Sequence, residues 1–438
     1  MKYILPLVFH SLLFTNLIAQ NWAPLGSGNN NTVQALYADD TLYVGGRFSA
    51  ANGQSAKKIA KWVNGQWSTI GPGFDNPVRT IAKINGTLYI GGEFAYAKDS
   101  SVNCFAAWNG TNFSSFAGGF NKSGQHSVIP TVNSIIQYKN QLYAGGVFDY
   151  ANYNTDYMQN VAMWNGSKWQ DVGGGIAGTS GISSMVVYHN TLYVGGEFIN
   201  AGSIVAKNIA KWDGNSWTAV AGGMNNAVTC LTVLNDTLYA GGIFTQAGGN
   251  NISYLAKLNG NTWEAVGSAI NGGVAALCAD SNTSTLYVGG TFTQAGGNNI
   301  SNIAQWKNST WSGLGDANAT VRSLAIYNNK LYAGGDFTTI GGANASRIAI
   351  MNTNIGLNYI LENNINIYPN PTSNYIYIET KSGDNFEHIT IYDLLGRTLI
   401  SQPFSSLIDV HNLHSANYIL VLVSKNNSFK KMIEITHE

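Results

Sequence analysis

One stretch of the sequence, between Phe148 and Asn160, combines side chains that suit the binding of a sugar. Its members are Asp149, Tyr150, Asn152, Tyr153, Asp156 and Tyr157. Tyrosine rings can stack on the apolar faces of a sugar, and the neighbouring carboxylates and amide can hydrogen-bond its hydroxyls. The stretch therefore predicts a ligand-binding site. The alternative interpretation is a loop that packs on its own aromatic rings.

Catalytic and metal-binding patterns are sparse elsewhere. Residues 21–351 contain only two histidines, His126 and His189, and no His, Cys or Asp cluster with metal-ligand spacing. We therefore expect no catalytic residue, no metal and no cofactor. Three carboxylates share the variable position of one repeated motif, namely Glu93, Glu197 and Asp336. A glycosidase with paired carboxylates remains open, since acids from different repeats can meet.

Composition excludes several classes of protein. The 438 residues include 23 Lys and Arg against 23 Asp and Glu, so the chain lacks the positive charge with which proteins bind nucleic acid. Hydrophobic residues make up 45%, which is enough to form a core and excludes a disordered chain. Fifty glycines and 12% aromatic residues favour many tight turns between aromatic-rich strands.

A repeat fills most of the chain and must position these residues. The motif Leu-Tyr-x-Gly-Gly-x-Phe occurs seven times, with its leucines at Leu42, Leu88, Leu142, Leu192, Leu238, Leu286 and Leu331. Each repeat starts with a Val-x-x-Leu-like segment and ends with two segments that carry aromatic positions. Including Trp22, all eleven tryptophans occupy these two positions. Each repeat therefore predicts four short strands joined by tight turns.

The repeats predict an all-β fold with a closed ring. A four-stranded sheet that is apolar on both faces needs like neighbours, and seven such sheets arranged radially form a seven-bladed β-propeller. The seventh repeat lacks its fourth strand, but Trp22-Ala23-Pro24-Leu25-Gly26 matches the fourth strand at Trp311–Gly315. We therefore expect residues 20–355 to form the propeller, with the N-terminal strand completing the last blade. An open solenoid is the alternative.

The propeller prediction also places the tyrosines. In a four-stranded blade, the connections from strand 2 to 3 and from strand 4 to the next blade lie on one face. The two longest run from Gly119 to Pro130 and from Phe148 to Asn160, in adjacent repeats. Long, variable loops of this kind often carry function. The repeats resemble kelch-like and related extracellular propeller repeats, which implies a fold and not a function.

The N-terminus has the pattern of a secretory signal peptide. Lys2 precedes an apolar run from Ile4 to Ile18, and Leu17-Ile18-Ala19 suits cleavage before Gln20. We therefore expect residues 1–19 to be removed. No later stretch has the roughly 20 apolar residues that span a bilayer, so we expect no transmembrane helix in the mature chain.

Residues 365–438 differ from the repeats and follow a polar connector, 356–364. Short alternating strands with Pro, Asn and Gly between them predict a small β-sandwich. A set of motif residues occurs in order: Tyr368, Pro369, Asn370, Pro371, Asp393, Gly396, Arg397, Tyr418, Lys430 and Lys431. This set resembles the C-terminal sorting domain of the type IX secretion system of Bacteroidota, except that Ala416 stands where that family usually has Gly.

The resemblance implies a partner and a cellular location. It implies that the type IX secretion machinery carries the protein from the periplasm to the outer-membrane surface or the medium. We expect the propeller to be a binding or adhesion module for an extracellular glycan or surface protein. Two alternatives are a polysaccharide-acting hydrolase or lyase and a structural component of a surface layer.

Overall fold

The structure is a computed structural model that describes residues 21–122, 129–178, 180–352, 365–380, 386–393, 397–424 and 428–437. These residues form strands, turns and loops with no helix, which confirms the all-β prediction. They fall into two compact units, within Gln20–Asn352 and within Thr353–Glu438. The predicted signal peptide and the connector 356–364 lie outside the described residues.

Seven four-stranded antiparallel sheets form the first unit, and we number them along the chain. Their strands, from first to fourth, are Val33–Ala38, Leu42–Gly46, Ile59–Val63 and Gln66–Thr69 in sheet 1; Val78–Ile84, Thr87–Gly92, Phe105–Trp108 and Phe113–Ser115 in sheet 2; Thr131–Tyr138, Gln141–Val147, Val161–Trp164 and Trp169–Asp171 in sheet 3; Gly181–Tyr188, Thr191–Glu197, Ile209–Trp212 and Trp217–Ala219 in sheet 4; Val228–Leu234, Thr237–Gly242, Leu255–Asn259 and Thr262–Ala265 in sheet 5; Val274–Asp280, Thr285–Gly290, Ile303–Lys307 and Thr310–Gly313 in sheet 6; and Val321–Tyr327, Lys330–Gly335, Ile348–Asn352 and Asn21–Pro24 in sheet 7.

Most connections between the second and third strands contain a small hairpin. These hairpins pair Ala50–Ala51 with Gln54–Ser55, Tyr96–Ala97 with Ser100–Ser101, Tyr150–Ala151 with Asp156–Tyr157, Asn200–Ala201 with Ile204–Val205, Gln294–Ala295 with Asn298–Asn299, and Thr339–Ile340 with Ala343–Asn344. Ile176–Ala177 adds a third strand beside Asn200–Ala201. The hairpins therefore lie at the end of each sheet where the second strand finishes.

The repeated residues account for the sheets. The phenylalanine that ends each Leu-Tyr-x-Gly-Gly-x-Phe motif is buried, from Phe48 in sheet 1 to Phe337 in sheet 7. Tight turns join the first two strands, as at Asn85-Gly86, where both residues have positive φ angles of 49° and 80°. Such angles define the turn that matches the twist of a two-stranded hairpin.

Close backbone packing links each sheet to the next. A Cβ atom on Gly45 would lie 2.5 Å from Cγ1 of Val78 in the next sheet, so only glycine allows this approach. The first glycine of every motif has the same relation to the following sheet, and Gly334 of sheet 7 has it to Val33 of sheet 1. The first strands also contact one another in this order. The neighbours form a closed cycle, which is a propeller-like arrangement.

The seventh sheet combines the two ends of this unit. Asn21–Pro24 pairs antiparallel with Ile348–Asn352, and Trp22 lies opposite Met351. Trp22 is buried, and its indole N–H donates a 2.5 Å hydrogen bond to the carbonyl oxygen of Leu314 in sheet 6, 292 residues away. This strand therefore holds the seventh sheet to the sixth.

The bond made by Trp22 is one of a series around the cycle. In six of the seven sheets, a fourth-strand tryptophan donates its indole N–H to a backbone carbonyl just after the fourth strand of the preceding sheet. The pairs are Trp67 to Leu25, Trp169 to Phe116, Trp217 to Val172, Trp263 to Val220, Trp311 to Val266 and Trp22 to Leu314. In sheet 2 the position is Phe113, which has no such donor and packs on Phe74, with ring centroids 4.5 Å apart.

Adding one methyl group at the contact between sheets should destabilise the unit. In Gly289→Ala the new Cβ would lie 2.6 Å from Cγ1 of Val321, which is fully buried. We expect a loss of about 1–3 kcal/mol in the free energy of unfolding, measured by denaturant titration, because the sheets must move apart. Gly313→Ala in the same sheet is the control, since its Cβ would meet no atom closer than 3.4 Å. Equal stability of the two variants would contradict the close-packing explanation.

The second unit consists of two sheets that share one core. Ile365–Tyr368, Tyr375–Thr380 and Leu407–Asp409 form the first, and Thr398–Pro403, Phe386–Tyr392, Ala416–Ser424 and Ser428–Ile435 form the second. Alternate residues of both sheets are buried against each other, including Ile376 from the first and Ile389 and Leu420 from the second. The alternation of the sequence therefore gives each sheet one apolar face.

Candidate functional site

The tyrosine-rich stretch forms a short hairpin that projects from sheet 3. Phe148 is fully buried at its base, and the backbone N–H of Met158 bonds to the carbonyl of Asp149. Tyr150 pairs with Tyr157 across the hairpin, and their rings lie edge to face with centroids 5.5 Å apart. We call residues 149–157 the tyrosine hairpin.

Two of its tyrosines are available to a ligand. Tyr153 is 75% exposed and Tyr157 is 57% exposed, whereas Tyr150 is half-buried. Tyr153 occupies the tip with a positive φ of 61°, and the space beside Gly118 is filled by its ring. Burial, followed by the negative charge of Asp149, raises the pKa of Tyr157, so its hydroxyl stays a hydrogen-bond donor at neutral pH.

The polar residues of the hairpin mainly hold it in place. Asn152 is buried, and its Nδ2 donates to the carbonyl of Trp169 at 2.8 Å and to Asp156 at 2.7 Å. Its Oδ1 accepts the backbone N–H of Trp169. In the structure the amide of Asn152 is therefore engaged within the protein, and its predicted contact with a ligand stays a prediction.

The two aspartates are also engaged by cations. Asp149 lies 3.4 Å from Nζ of Lys122, and Asp156 lies 3.3 Å from Nζ of Lys168. Hydrogen bonds from Asn152 and Lys168 lower the pKa of Asp156. Both carboxylates therefore brace the hairpin.

The neighbouring long connection lies directly beside the tyrosine hairpin. The carbonyl of Asn121 accepts the backbone N–H groups of both Asp149 and Tyr150. The two connections that the sequence singles out by length are therefore joined by backbone hydrogen bonds. Residues 123–128, which include His126, lie outside the described residues.

A second concave surface lies where the seven first strands meet. It is a cavity of about 470 Å³ lined mainly by polar side chains. Every sheet contributes one residue to the lining, namely the residue directly after the apolar residue that starts its Val-x-x-Leu-like segment. These residues are Gln34, Arg79, Asn133, Ser183, Thr229, Ala275 and Arg322. At each of these residues the pairing of the first and second strands shifts by one, which is a β-bulge. The bulge directs one side chain per sheet into the cavity.

Two arginine–carboxylate pairs lie at one side of this cavity. Nε of Arg79 lies 2.6 Å from Oε1 of Glu93, and Nη2 also contacts that oxygen. Arg47 of sheet 1 is 3.8 Å from the same atom. Glu93 is therefore engaged by arginines of two sheets.

Asp336 is held in the same manner. Nε of Arg322 donates to Oδ2 at 2.7 Å, and the hydroxyl of Thr32 donates to Oδ1 at 2.7 Å. The side chain of Arg347 donates to the backbone carbonyl of Asp336. Burial opposes ionisation of Asp336, but these hydrogen bonds and charges outweigh it and hold the pKa below its usual value. The carboxylate is therefore a poor general acid at neutral pH.

His189 and the acidic residues give no sign of a metal centre. His189 is exposed in a turn, with Nε2 2.6 Å from Oδ1 of Asp236 and its ring stacked on Tyr188. Within the described ranges, no three His, Cys, Asp or Glu side chains come together in a way that would hold a metal ion.

The motif residues of the C-terminal unit converge on its last strand. Asn370 accepts the backbone N–H of Glu434 at 2.7 Å, and its Nδ2 donates to the carbonyl of Met432. Tyr368 stacks on Tyr377, with ring centroids 5.8 Å apart. Lys430 and Lys431 lie on the same last strand, Ser428–Ile435. Within residues 368–371, Asn370 therefore holds the last strand through two hydrogen bonds, and Tyr368 packs on the strand Tyr375–Thr380.

Two further parts of the motif have local roles. Arg397 Nε lies 2.6 Å from Oδ2 of Asp393, which follows the strand Phe386–Tyr392. The hydroxyl of Tyr418, which is buried, donates to the carbonyl of His414 at 2.8 Å. Gly396 lies outside the described residues.

Comparison with protein families identifies this C-terminal unit. The family model described as "Secretion system C-terminal sorting domain" matches residues 366–436. The unit is a type IX sorting domain, and the protein is exported to the cell surface or secreted. Among the described residues, no helical segment has the length and apolar character needed to cross a membrane. No curated protein sequence matches the chain significantly.

Solved structures share the fold of the chain at low sequence identity. Two similar structures are extracellular domains from B. thetaiotaomicron, one of a putative hybrid two-component system and one of a putative one-component system. Each has a TM-score of 0.50 over 95% of this chain, with 13% and 14% identity. The chain spans only 59% and 58% of those domains. The β-propeller domain of the Trilobed protease from Pyrococcus furiosus is also similar, with a TM-score of 0.41, 8% identity, and coverage of 74% of this chain and 96% of that domain.

Together, fold and comparisons define an exported, all-β protein with a propeller-like unit and a sorting domain. Sequence reasoning placed the tyrosine hairpin but missed the polar cavity. The sequence does contain a sign of the bulges that line this cavity, because each Val-x-x-Leu-like segment places two apolar residues three positions apart. Strict alternation would send two such residues to opposite faces of a strand, and a bulge between them brings both into the core.

Proposed function

We propose that the protein is an exported seven-bladed β-propeller that binds an extracellular glycan. In this proposal residues 20–355 form the propeller, 356–364 the connector, and 365–438 the sorting domain that engages the type IX secretion machinery. Kelch-like blades account for the seven sheets and their closed cycle of neighbours. The ring serves as a rigid support for its loops, and the bound ligand lies outside the hydrophobic core.

The exposure of Tyr153 and Tyr157 on a braced hairpin carries this proposal. Large aromatic rings seldom remain exposed together, and here the hairpin beneath them is held by Asn152 and two ion pairs. A prepared aromatic surface loses little conformational entropy when a sugar stacks on it. At two of the three motif carboxylates the geometry favours binding over hydrolysis, because Glu93 and Asp336 are each paired with an arginine, whereas Glu197 is exposed.

A glycan array with the secreted, full-length protein tests this function. We expect retention of a restricted set of glycans, with no release of shorter products when the same glycans are incubated with the protein. Turnover of any of them would instead favour the hydrolase or lyase. Absence of binding to every glycan, combined with self-association into sheets or fibres, would favour a surface-layer component.

Removing the exposed tyrosines should weaken binding without weakening the fold. For Tyr153→Ala or Tyr157→Ala we expect a loss of about 1–2 kcal/mol in binding, a roughly 5- to 30-fold rise in Kd for a glycan found on the array. The melting temperature should change little, because loop tips contribute little to the core. Tyr96→Ala, which removes a 51% exposed tyrosine from the hairpin of sheet 2, is the matched control.

Two results would contradict the role of the tyrosine hairpin. A fall of many degrees in the melting temperature of Tyr153→Ala would show that the ring packs the loop. Unchanged binding in a variant with Tyr150, Tyr153 and Tyr157 all replaced by alanine would place the glycan elsewhere on the protein.

A further inference from the structure

Arginine is concentrated at one side of the polar cavity. The chain has five arginines, and four of them lie on the consecutive sheets 7, 1 and 2, namely Arg322, Arg347, Arg47 and Arg79. The fifth, Arg397, lies in the C-terminal unit. Arg79 and Arg322 line the cavity, so this concentration places positive charge on the wall that a ligand in the cavity would contact.

The cluster carries more positive than negative charge. Four guanidinium groups contact only two acidic residues, Glu93 and Asp336. The Nζ of Lys58 lies nearby and donates to the carbonyl of Arg47 at 3.0 Å. The two carboxylates fix the direction of the guanidiniums but do not neutralise them. The side of the cavity formed by sheets 7, 1 and 2 therefore attracts an anion.

Two of these guanidiniums line the cavity and keep donors for a ligand. Arg79 and Arg322 each contact a carboxylate through Nε and Nη2, so the Nη1 group of each is not used in those pairs. Their side chains are 34% and 43% exposed, which leaves them accessible. A guanidinium that is already oriented binds a second carboxylate with little further loss of entropy.

Gln34 lies between the two arginines in the order of the sheets. Its amide oxygen is shielded from solvent and has no hydrogen-bond partner among the described residues. An unpaired buried amide is costly, so a polar group that enters the cavity gains a hydrogen bond there. Rotation of the amide group by a half turn presents either its oxygen or its nitrogen, so this side chain can pair with a donor or an acceptor of the ligand.

The rest of the lining favours a saccharide over an acidic peptide. Asn133, Ser183 and Thr229 present amide and hydroxyl groups, and the apolar contribution is limited to Val147 and Ala275. Amides and hydroxyls complement the hydroxyls of a sugar, whereas the side chains of a peptide would find few apolar partners. The volume of about 470 Å³ suits a ligand of one or two sugar rings.

We propose that this cavity binds a carboxylate-bearing sugar residue, with Arg79 and Arg322 holding the carboxylate and the polar bulge residues holding the hydroxyls. The site is distinct from the tyrosine hairpin and does not depend on it. Val147 lines the cavity and Tyr150 begins the hairpin three residues later, so an acidic polysaccharide can reach both from one face.

Calorimetric titration of the full-length protein with tri-galacturonate tests the proposal. The neutral trimer of galactose with the same linkage is the control ligand, because it differs only in having a hydroxymethyl group in place of each carboxylate. We expect the acidic trimer to bind at least about tenfold more tightly, with affinity that falls as salt rises. Equal affinity for the two trimers would overturn the proposal, as would tighter binding of a tetra-aspartate peptide.

Variants separate this site from the rest of the protein. Arg322→Gln and Arg79→Gln should each raise the Kd for tri-galacturonate about tenfold. Arg397→Gln makes the same change of charge in the other unit and should leave the Kd unchanged. Ala275→Phe fills the cavity without altering charge and should also abolish binding. This variant tests the cavity separately, so the proposal can still be judged if an arginine variant misfolds.

The outcome is independent of the tyrosine hairpin. Tyr153→Ala and Tyr157→Ala should leave binding of the short acidic trimer intact, even if they abolish binding of longer glycans. Binding of tri-galacturonate that survives both Ala275→Phe and the double arginine variant would show that the cavity is not the site.

Discussion

Trp22→Ala is expected to lower the free energy of unfolding by about 3–5 kcal/mol, the cost of removing a large buried aromatic side chain. Trp22 is only 5% exposed, fills the space beside Gly341 in sheet 7, and donates its indole N–H to Leu314 in sheet 6. The variant loses both the packing and this hydrogen bond. Denaturant titration followed by tryptophan fluorescence or circular dichroism measures the difference.

Deletion of residues 21–26 should cost more than the single substitution. It exposes the edge of Ile348–Asn352 and also removes the carbonyl of Leu25, which accepts the indole N–H of Trp67. Trp311→Ala is the matched reference, because Trp311 has the same exposure and the same type of bond, to Val266. An unchanged melting temperature after the deletion would refute closure of the ring by this strand.

Removing residues 361–438 is expected to abolish export while the first unit stays folded. The sorting domain supplies the signal for the type IX machinery, and all seven four-stranded sheets lie before it. The truncated protein should accumulate in the periplasm of a host with this secretion system. Its melting transition should remain cooperative and close to that of the propeller-like unit in the full chain.

The same experiment needs a control for expression and folding. Tyr96→Ala changes one exposed side chain of the first unit and should be exported in normal amounts, measured by immunoblot of the medium and the cell surface. Normal export of the truncated protein would contradict the role assigned to the C-terminal unit. Export that fails in both proteins would indicate a defect in the assay.

Much of the fold could be predicted because each repeat carries its own evidence. The Leu-Tyr-x-Gly-Gly-x-Phe motif fixes a strand, its buried phenylalanine and its contact with the next sheet. The match between Trp22 and Trp311 indicated a displaced strand, and the structure gives both the same environment. These interactions are local or strictly repeated, so their pattern can be recognised in the amino-acid sequence.

The sites depend on features that repetition does not encode. The arginines of the cavity stand at positions where other repeats have Gln, Asn, Ser, Thr or Ala, so no shared motif marks them. Their proximity arises only because the ring brings sheet 7 beside sheet 1. Asn152 was assigned to ligand binding from its neighbours in sequence, whereas its burial depends on Trp169, a residue in a later strand.

The strand Asn21–Pro24 also sets the order in which the chain can fold. Sheets 1 to 6 are each built from one continuous segment, so they can form from contacts between residues that are near one another in the sequence. Sheet 7 joins the first described strand to residues made after all the other repeats, and such distant pairing is slow. We therefore expect completion of the ring to be the last step, preceded by an open array of sheets with exposed edges at both ends. The interval between synthesis and closure is when the chain is most vulnerable to aggregation and to proteases.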